Sequence, residues 1–161
     1  MLSRRAALVG TLAMALGGCA SKEIPDFYGV RLGMSPRDVR DRFTPTGGTW
    51  KSDAMADDYA IAWAPPKAPA PADPLEAKFE FHMGILVAIR AKVPPTAAVA
   101  QGDRYVVTKG TVLRRLETRP TSESAAPVPT PVPYTYIDVL ARDCPTHHAE
   151  AQGFVTASET R

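Results

Sequence analysis

The run at residues 77–93, AKFEFHMGILVAIRAKV, constrains the fold more than any other part of the chain. In its first half Phe79, Phe81 and Met83 alternate with Lys78, Glu80 and His82. A period of two places the aromatic side chains on one face of a strand and the charged ones on the other. A second apolar run, Ile85–Val93, begins directly after Gly84. Two strands joined this closely must pair antiparallel, because a parallel crossover needs about a dozen or more residues.

Further extended runs follow the same logic. DYAIAW (58–63) sets Tyr59, Ile61 and Trp63 on one face. RYVVT (104–108) and TVLRRLE (111–117) flank Lys109-Gly110 as a second hairpin, and YTYIDVLA (134–141) is a last strand. One helix precedes them. In YGVRLGMSPRDVRDRF (28–43), Ser35 suits an N-cap, Pro36 suits the first helical position, and Asp38 completes an S-x-x-D capping box. Met34 is placed to staple onto Val39. Val39 and Phe43 form an i,i+4 apolar stripe, and Pro45 with Gly47-Gly48 ends the helix. A second short helix is expected from about Pro145 to Gln152, with a polar tail over 156–161. Two proline-rich segments, 64–74 and 119–133, lack the donors of a strand ladder and read as extended loops. The expected fold is α+β: a short N-terminal helix, an antiparallel meander of about four to six strands and a short C-terminal helix, with the helices on one face or end. It forms a single domain over 27–155.

The N-terminus has a different character. Arg4 and Arg5 precede an uncharged run over 6–16, which is too short to span a bilayer and of the length of a signal-peptide core. Leu16-Gly17-Gly18-Cys19 resembles a bacterial lipobox, which implies a signal peptide over 1–18, lipidation of Cys19, and a tether over 19–26. SRRAAL (3–8) also loosely resembles a twin-arginine export signal, so the export route stays open. Without residues 1–18 the 19 basic residues fall to 17, against 17 acidic ones. A neutral mature chain argues against nucleic-acid binding and against a polybasic membrane patch. The doublet Arg114-Arg115 reads as a solvated strand face. Lipidation of Cys19 would leave Cys144 as a lone thiol, with no internal disulfide.

The stretch GVRLGMSPRDVRDRF (29–43) resembles the opening of the small outer-membrane lipoproteins of the SmpA/OmlA (BamE-like) group. Gly33-Met34, Ser35 and Val39 match the group's Gly-Met dipeptide, capping residue and inward valine. The resemblance covers the lipobox and residues 29–93. It departs at Arg42-Phe43-Thr44-Pro45, where the group has a Leu-Gly-x-Pro ending, and it has no counterpart after Pro94. It implies a lipid-anchored α+β protein on the periplasmic face of the outer membrane that supports assembly of barrel proteins through protein partners.

Unusual side chains concentrate in RDCPTHHAE (142–150). On a helical turn Cys144 and His148 would stand i,i+4, and thiolate and imidazole at that spacing suit zinc or copper, with His82 or Asp143 as a further ligand. A Cys–His nucleophilic pair is the other chemistry these residues allow. The plainer reading starts a helix here, with Asp143 or Thr146 as cap, Pro145 in the first turn, Cys144 packed as a small apolar residue, and His147 and His148 half exposed. His82 falls on the polar face of its strand. Trp50 and Trp63 suit either core packing or an aromatic ligand wall. No nucleophile elbow, P-loop or H-E-x-x-H motif occurs. The expectation is a non-enzymatic, lipid-anchored envelope protein, without a cofactor, that binds an envelope protein partner. The alternative is a metal-binding or thiol-active protein using Cys144, His147 and His148.

Overall fold

The alternating runs resolve into one antiparallel sheet of seven strands. The computed structural model describes residues 24, 26–55, 58–95, 105–118 and 133–160. Helix α1 (Pro36–Arg42) is followed by β1 (Thr49–Met55), β2 (Asp58–Ala64), β3 (Glu76–His82), β4 (Ile85–Val93), β5 (Tyr105–Val107), β6 (Thr111–Thr118), β7 (Tyr134–Ala141) and α2 (His148–Glu159). The expected signal peptide over 1–18, Cys19 and most of the 119–133 segment lie outside the described residues. The α+β class stands, with seven strands where about four to six were expected. The additional strand is β1, whose sequence TWKSDAM carries too many polar residues to announce itself; as an edge strand it pairs only with β2.

Strand order is β1-β2-β3-β4-β7-β6-β5, so the single meander expected is in fact two. The first four strands run outward in sequence, and the last three return, with β7 closing against β4. The β3–β4 hairpin forms as its sequence demands, with a bulge between Glu80 and Phe81. Its two-residue turn has left-handed backbone at Met83 (φ 50) and Gly84 (φ 78), the geometry that follows the right-handed strand twist. Met83 consequently leaves the apolar face and stands 77 % exposed.

The helices pack on opposite faces, not on one. The capping box on α1 is complete: Asp38 N–H donates to Ser35 Oγ at 3.2 Å, and Ser35 N–H donates to Asp38 Oδ2 at 3.3 Å. That cap orients α1 so that Val39 is buried among Phe27, Val30, Phe43, Ile61, Trp63, Phe79, Phe81 and Ile89. The aromatic rings there meet mostly edge to face, Phe43 with Trp63 and with Phe79 at 5.3 Å. Gly48 lies close under the Trp63 indole, where a Cβ would collide with the ring. On the other face α2 buries Ala151 and Phe154 on Ala88, Val112 and Leu140.

Two boundaries and one face assignment differ from the sequence expectation. Ile24 packs on the core and Asp26 pairs with Arg31, so part of the expected tether belongs to the domain. Helix α2 starts at His148 and runs to Glu159, through what was expected to be a frayed tail, because Phe154 and Val155 give it an apolar side to bury. The Arg114-Arg115 doublet straddles the sheet: Arg114 joins the α2 face, and Arg115 is buried on the other.

Candidate functional site

The α2 face of the sheet holds a connected cluster of charged side chains. One cross-strand row reads Lys51, Ala62, Lys78, Arg90, Asp138, Arg114, Tyr105, each directly opposite the next. Antiparallel pairing brings such side chains within reach of one another. Asp138 sits between two guanidiniums, with Arg114 Nη2 at 2.6 Å and Arg90 Nη1 at 3.4 Å. Arg90 also donates two bonds to Glu150 on α2, at 2.9 and 2.7 Å, and one to Glu80 at 3.3 Å. Lys78 reaches Glu80 at 3.0 Å. Three cations thus meet three carboxylates, and Arg114 lies 4.2 Å over the Phe154 ring.

The electrostatics follow from this arrangement. Burial pushes the Glu80 carboxyl up, but the Lys78, His147 and Arg90 contacts together outweigh burial and hold it below its ordinary value. The Arg90 hydrogen bonds hold Glu150 below its ordinary value against partial burial. Those bonds in turn raise Arg90 beyond its ordinary range, with support from Glu80 and Asp138. Such pairing fixes the position of α2, whose buried side chains are few.

The corner before α2 brings two of the three sequence candidates together. His147 N–H donates to the Cys144 carbonyl at 3.1 Å, closing a turn that precedes the helix. Cys144 Sγ lies 3.6 Å from His147 Nδ1, and His147 Nε2 lies 2.8 Å from Glu80 Oε2. His148 is turned away, exposed, with Nδ1 3.0 Å from the Arg142 carbonyl oxygen. The expected i,i+4 pairing of Cys144 with His148 therefore does not form, because Cys144 lies outside the helix. Neither Asp143 nor Thr146 caps α2; His147 occupies that position without a side-chain cap, its ring engaged by Glu80. His82 bonds Asp58 at 3.0 Å and not Cys144 or His147. Among the described residues no group of three or more His, Cys, Asp or Glu side chains is placed to hold a metal ion.

Cys144 is 5 % exposed, so its thiol faces the interior. Beside it lies a cavity of about 170 Å³ bounded by Asp58, Ala60, Lys78, Glu80, Thr146 and His147, below the size of ordinary small-molecule sites. A larger cavity of about 660 Å³ opens on the α1 face between the N-terminal segment and the sheet, with Ile24, Phe27, Leu32, Ile89 and Val139 among its walls. Its ionisable lining residues, Asp26 and Arg31, pair with one another. Trp63 is fully packed, and the partly buried Trp50 meets Phe43 edge to face and Phe79 at a tilt, so both tryptophans pack with the core.

The sequence reading missed Arg90, Asp138 and Glu150. Arg90 and Asp138 were visible as charges inside the apolar runs ILVAIRAKV and YTYIDVLA, but neither the β4–β7 pairing that joins them nor the approach of Glu150 on α2 is legible locally. Compared with family models, curated proteins and solved structures, the chain matches none.

Proposed function

We propose that this chain is a lipid-anchored cell-envelope protein, held by Cys19 at the periplasmic face of the outer membrane, that acts as a non-enzymatic binding or assembly module. The observation that carries the reading is where the connections leave the sheet. The β2–β3 loop, which holds the 64–74 proline-rich segment, and both strand ends flanking 119–133 lie at one end: Ala64 opposite Thr49, Glu76 opposite Lys92, and Thr118 opposite Tyr134. Residues 67–72 of the first loop are exposed, yet Tyr28 Oη–H ties the loop down through the Ala72 carbonyl at 2.6 Å. Burial, with the Asp73 charge, pushes the Tyr28 hydroxyl up to about 12. A proline-rich loop on a fixed base loses little conformational freedom on binding, which favours docking of protein partners.

A photocrosslinking residue placed at Lys67 in the loop end should give discrete adducts with an envelope protein, and the same residue at Lys109, in the opposite turns, should not. Equal adducts from both positions, or none from either, would contradict the reading.

The Cys144–His147–Glu80 chain favours a second reading, a thiol-active protein. Under the binding reading, the buried thiol reacts with a disulfide reagent only on unfolding, and Cys144→Ala retains partner adducts. Rapid thiol reaction in the folded protein, slowed by Glu80→Gln, would favour the second reading.

A further inference from the structure

The two ends of the sheet differ, and the N-terminal chain leaves from the end opposite the proline-rich loops. Three short connections gather there, marked by the pairs Met55↔Asp58, His82↔Ile85 and Val107↔Val112. The Phe27↔Val30 bridge folds the N-terminal segment back on itself and sets Asp26 against Arg31. Its second arm continues to Gly33 and Met34, which bond the backbone of Leu86 at 2.8 Å each, near the start of β4. Ile24, on the first arm, shares a cavity wall with Thr108 and Thr111 at the β5–β6 turn. The chain therefore enters the domain at the turn end.

The large apolar side chains that stand exposed among the described residues belong to the same end. Met83, in the β3–β4 turn, is 77 % exposed, and Ile85, the first residue of β4, is 51 % exposed. Exposed charges nearby are of both signs, Lys109 against Asp58 and Asp143, so no single-sign field points to an acidic or basic partner. Cys19 precedes Ile24 by five residues, a span that reaches at most roughly 17 Å when fully extended.

We propose that the turn end of the sheet rests on the bilayer, with Met83 and Ile85 entering the headgroup boundary and the opposite end, which carries the 64–74 loop, directed away from it. This rests on lipid attachment at Cys19. The tether is the argument for a lipid surface as occupant: it confines this end within a short reach of the membrane, where two apolar side chains suffice because their insertion is intramolecular. Interfacial apolar groups settle about 5–10 Å into the headgroup region.

The test uses the full-length, membrane-extracted protein in phosphatidylcholine vesicles containing brominated lipid. Ile85→Trp and Lys67→Trp each add a fluorophore, at the turn and at the loop end, read against the unsubstituted protein with its native Trp50 and Trp63. Both positions are exposed, so unchanged thermal melting serves as the folding control. The added fluorescence of Ile85→Trp should be quenched several-fold more than that of Lys67→Trp. Equal quenching, stronger quenching at position 67, or a blue-shifted but unquenched Ile85→Trp, as a second copy or protein partner covering the turn would give, overturns the proposal. The mass of the same preparation separates the two readings: an unmodified Cys19 removes the anchor and the orientation together, whereas an acylated Cys19 without selective quenching removes the orientation alone.

Discussion

The two faces of the sheet are held by different physics. Beneath α1, Phe79, Phe81, Ile61 and Trp63 are buried with Phe27, Phe43 and Val39 against them, and stability there grows with apolar area removed from water. Beneath α2 the buried apolar group is small, Ala88, Val112, Leu140, Ala151 and Phe154, and the helix is positioned by Arg90, Asp138, Glu150, Glu80 and His147. Apolar burial on the α1 face fixes strand register, whereas a bidentate guanidinium–carboxylate pair fixes the position of one side chain against another. The α1 face therefore supplies most of the stability, and the α2 face fixes where one helix sits.

Substitutions can break this contrast. The largest effect is expected from Phe79→Ala, which opens a cavity among the rings of Phe27, Phe43 and Trp50 and should cost about 3–5 kcal/mol in urea unfolding. Arg90→Met leaves Glu80, Asp138 and Glu150 without their shared cation; with the side chain 31 % exposed, the loss should be about 2 kcal/mol, below the value for a fully buried pair. A deficit for Arg90→Met larger than that for Phe79→Ala would invert the ranking of the two faces.

The same pair sharpens under pH. Glu80 and Glu150 lie below their ordinary values in the folded chain, so the stability they contribute is complete above the unfolded carboxylate value, about 4.3, and is lost as pH falls through the folded values. The urea midpoint of the natural chain should therefore drop on acidification below about pH 4–5, and that of Arg90→Met should drop less steeply. Parallel curves would contradict the assignment of these carboxylates to Arg90.

Smaller effects lie at the margins of the two faces. Ser35→Ala removes the cap of α1 and should cost about 1 kcal/mol in thermal or urea unfolding. Met83→Asn suits the left-handed backbone of the β3–β4 turn and should raise stability by less than about 1 kcal/mol, while removing an apolar side chain from the turn end.

Legibility in the sequence follows the range of the interactions. The α1 cap was readable because Ser35, Pro36 and Asp38 lie within four positions, and the β3–β4 hairpin because its partners adjoin. The apolar face was readable from alternation at Tyr59, Ile61, Trp63, Phe79 and Phe81. Strand β1 was not, because an edge strand needs little apolar patterning. Nor was the return of β7 to β4, which joins Arg90 to Asp138 across 48 positions. At the 142–150 corner the residue types stood out, but the grouping did not: a turn ending at His147, where a helix was expected, exchanges His148 for His147 as the neighbour of Cys144 and brings in Glu80 from β3.

The proposed anchoring and orientation both depend on Cys19, so the most direct test is the intact mass of the mature protein from membranes, beside Cys19→Ala. The account predicts a natural chain that begins at Cys19 and carries diacylglyceryl and acyl mass, and a Cys19→Ala chain that stays unprocessed and unacylated. Mature Cys19→Ala protein of normal mobility in the membrane fraction would contradict it.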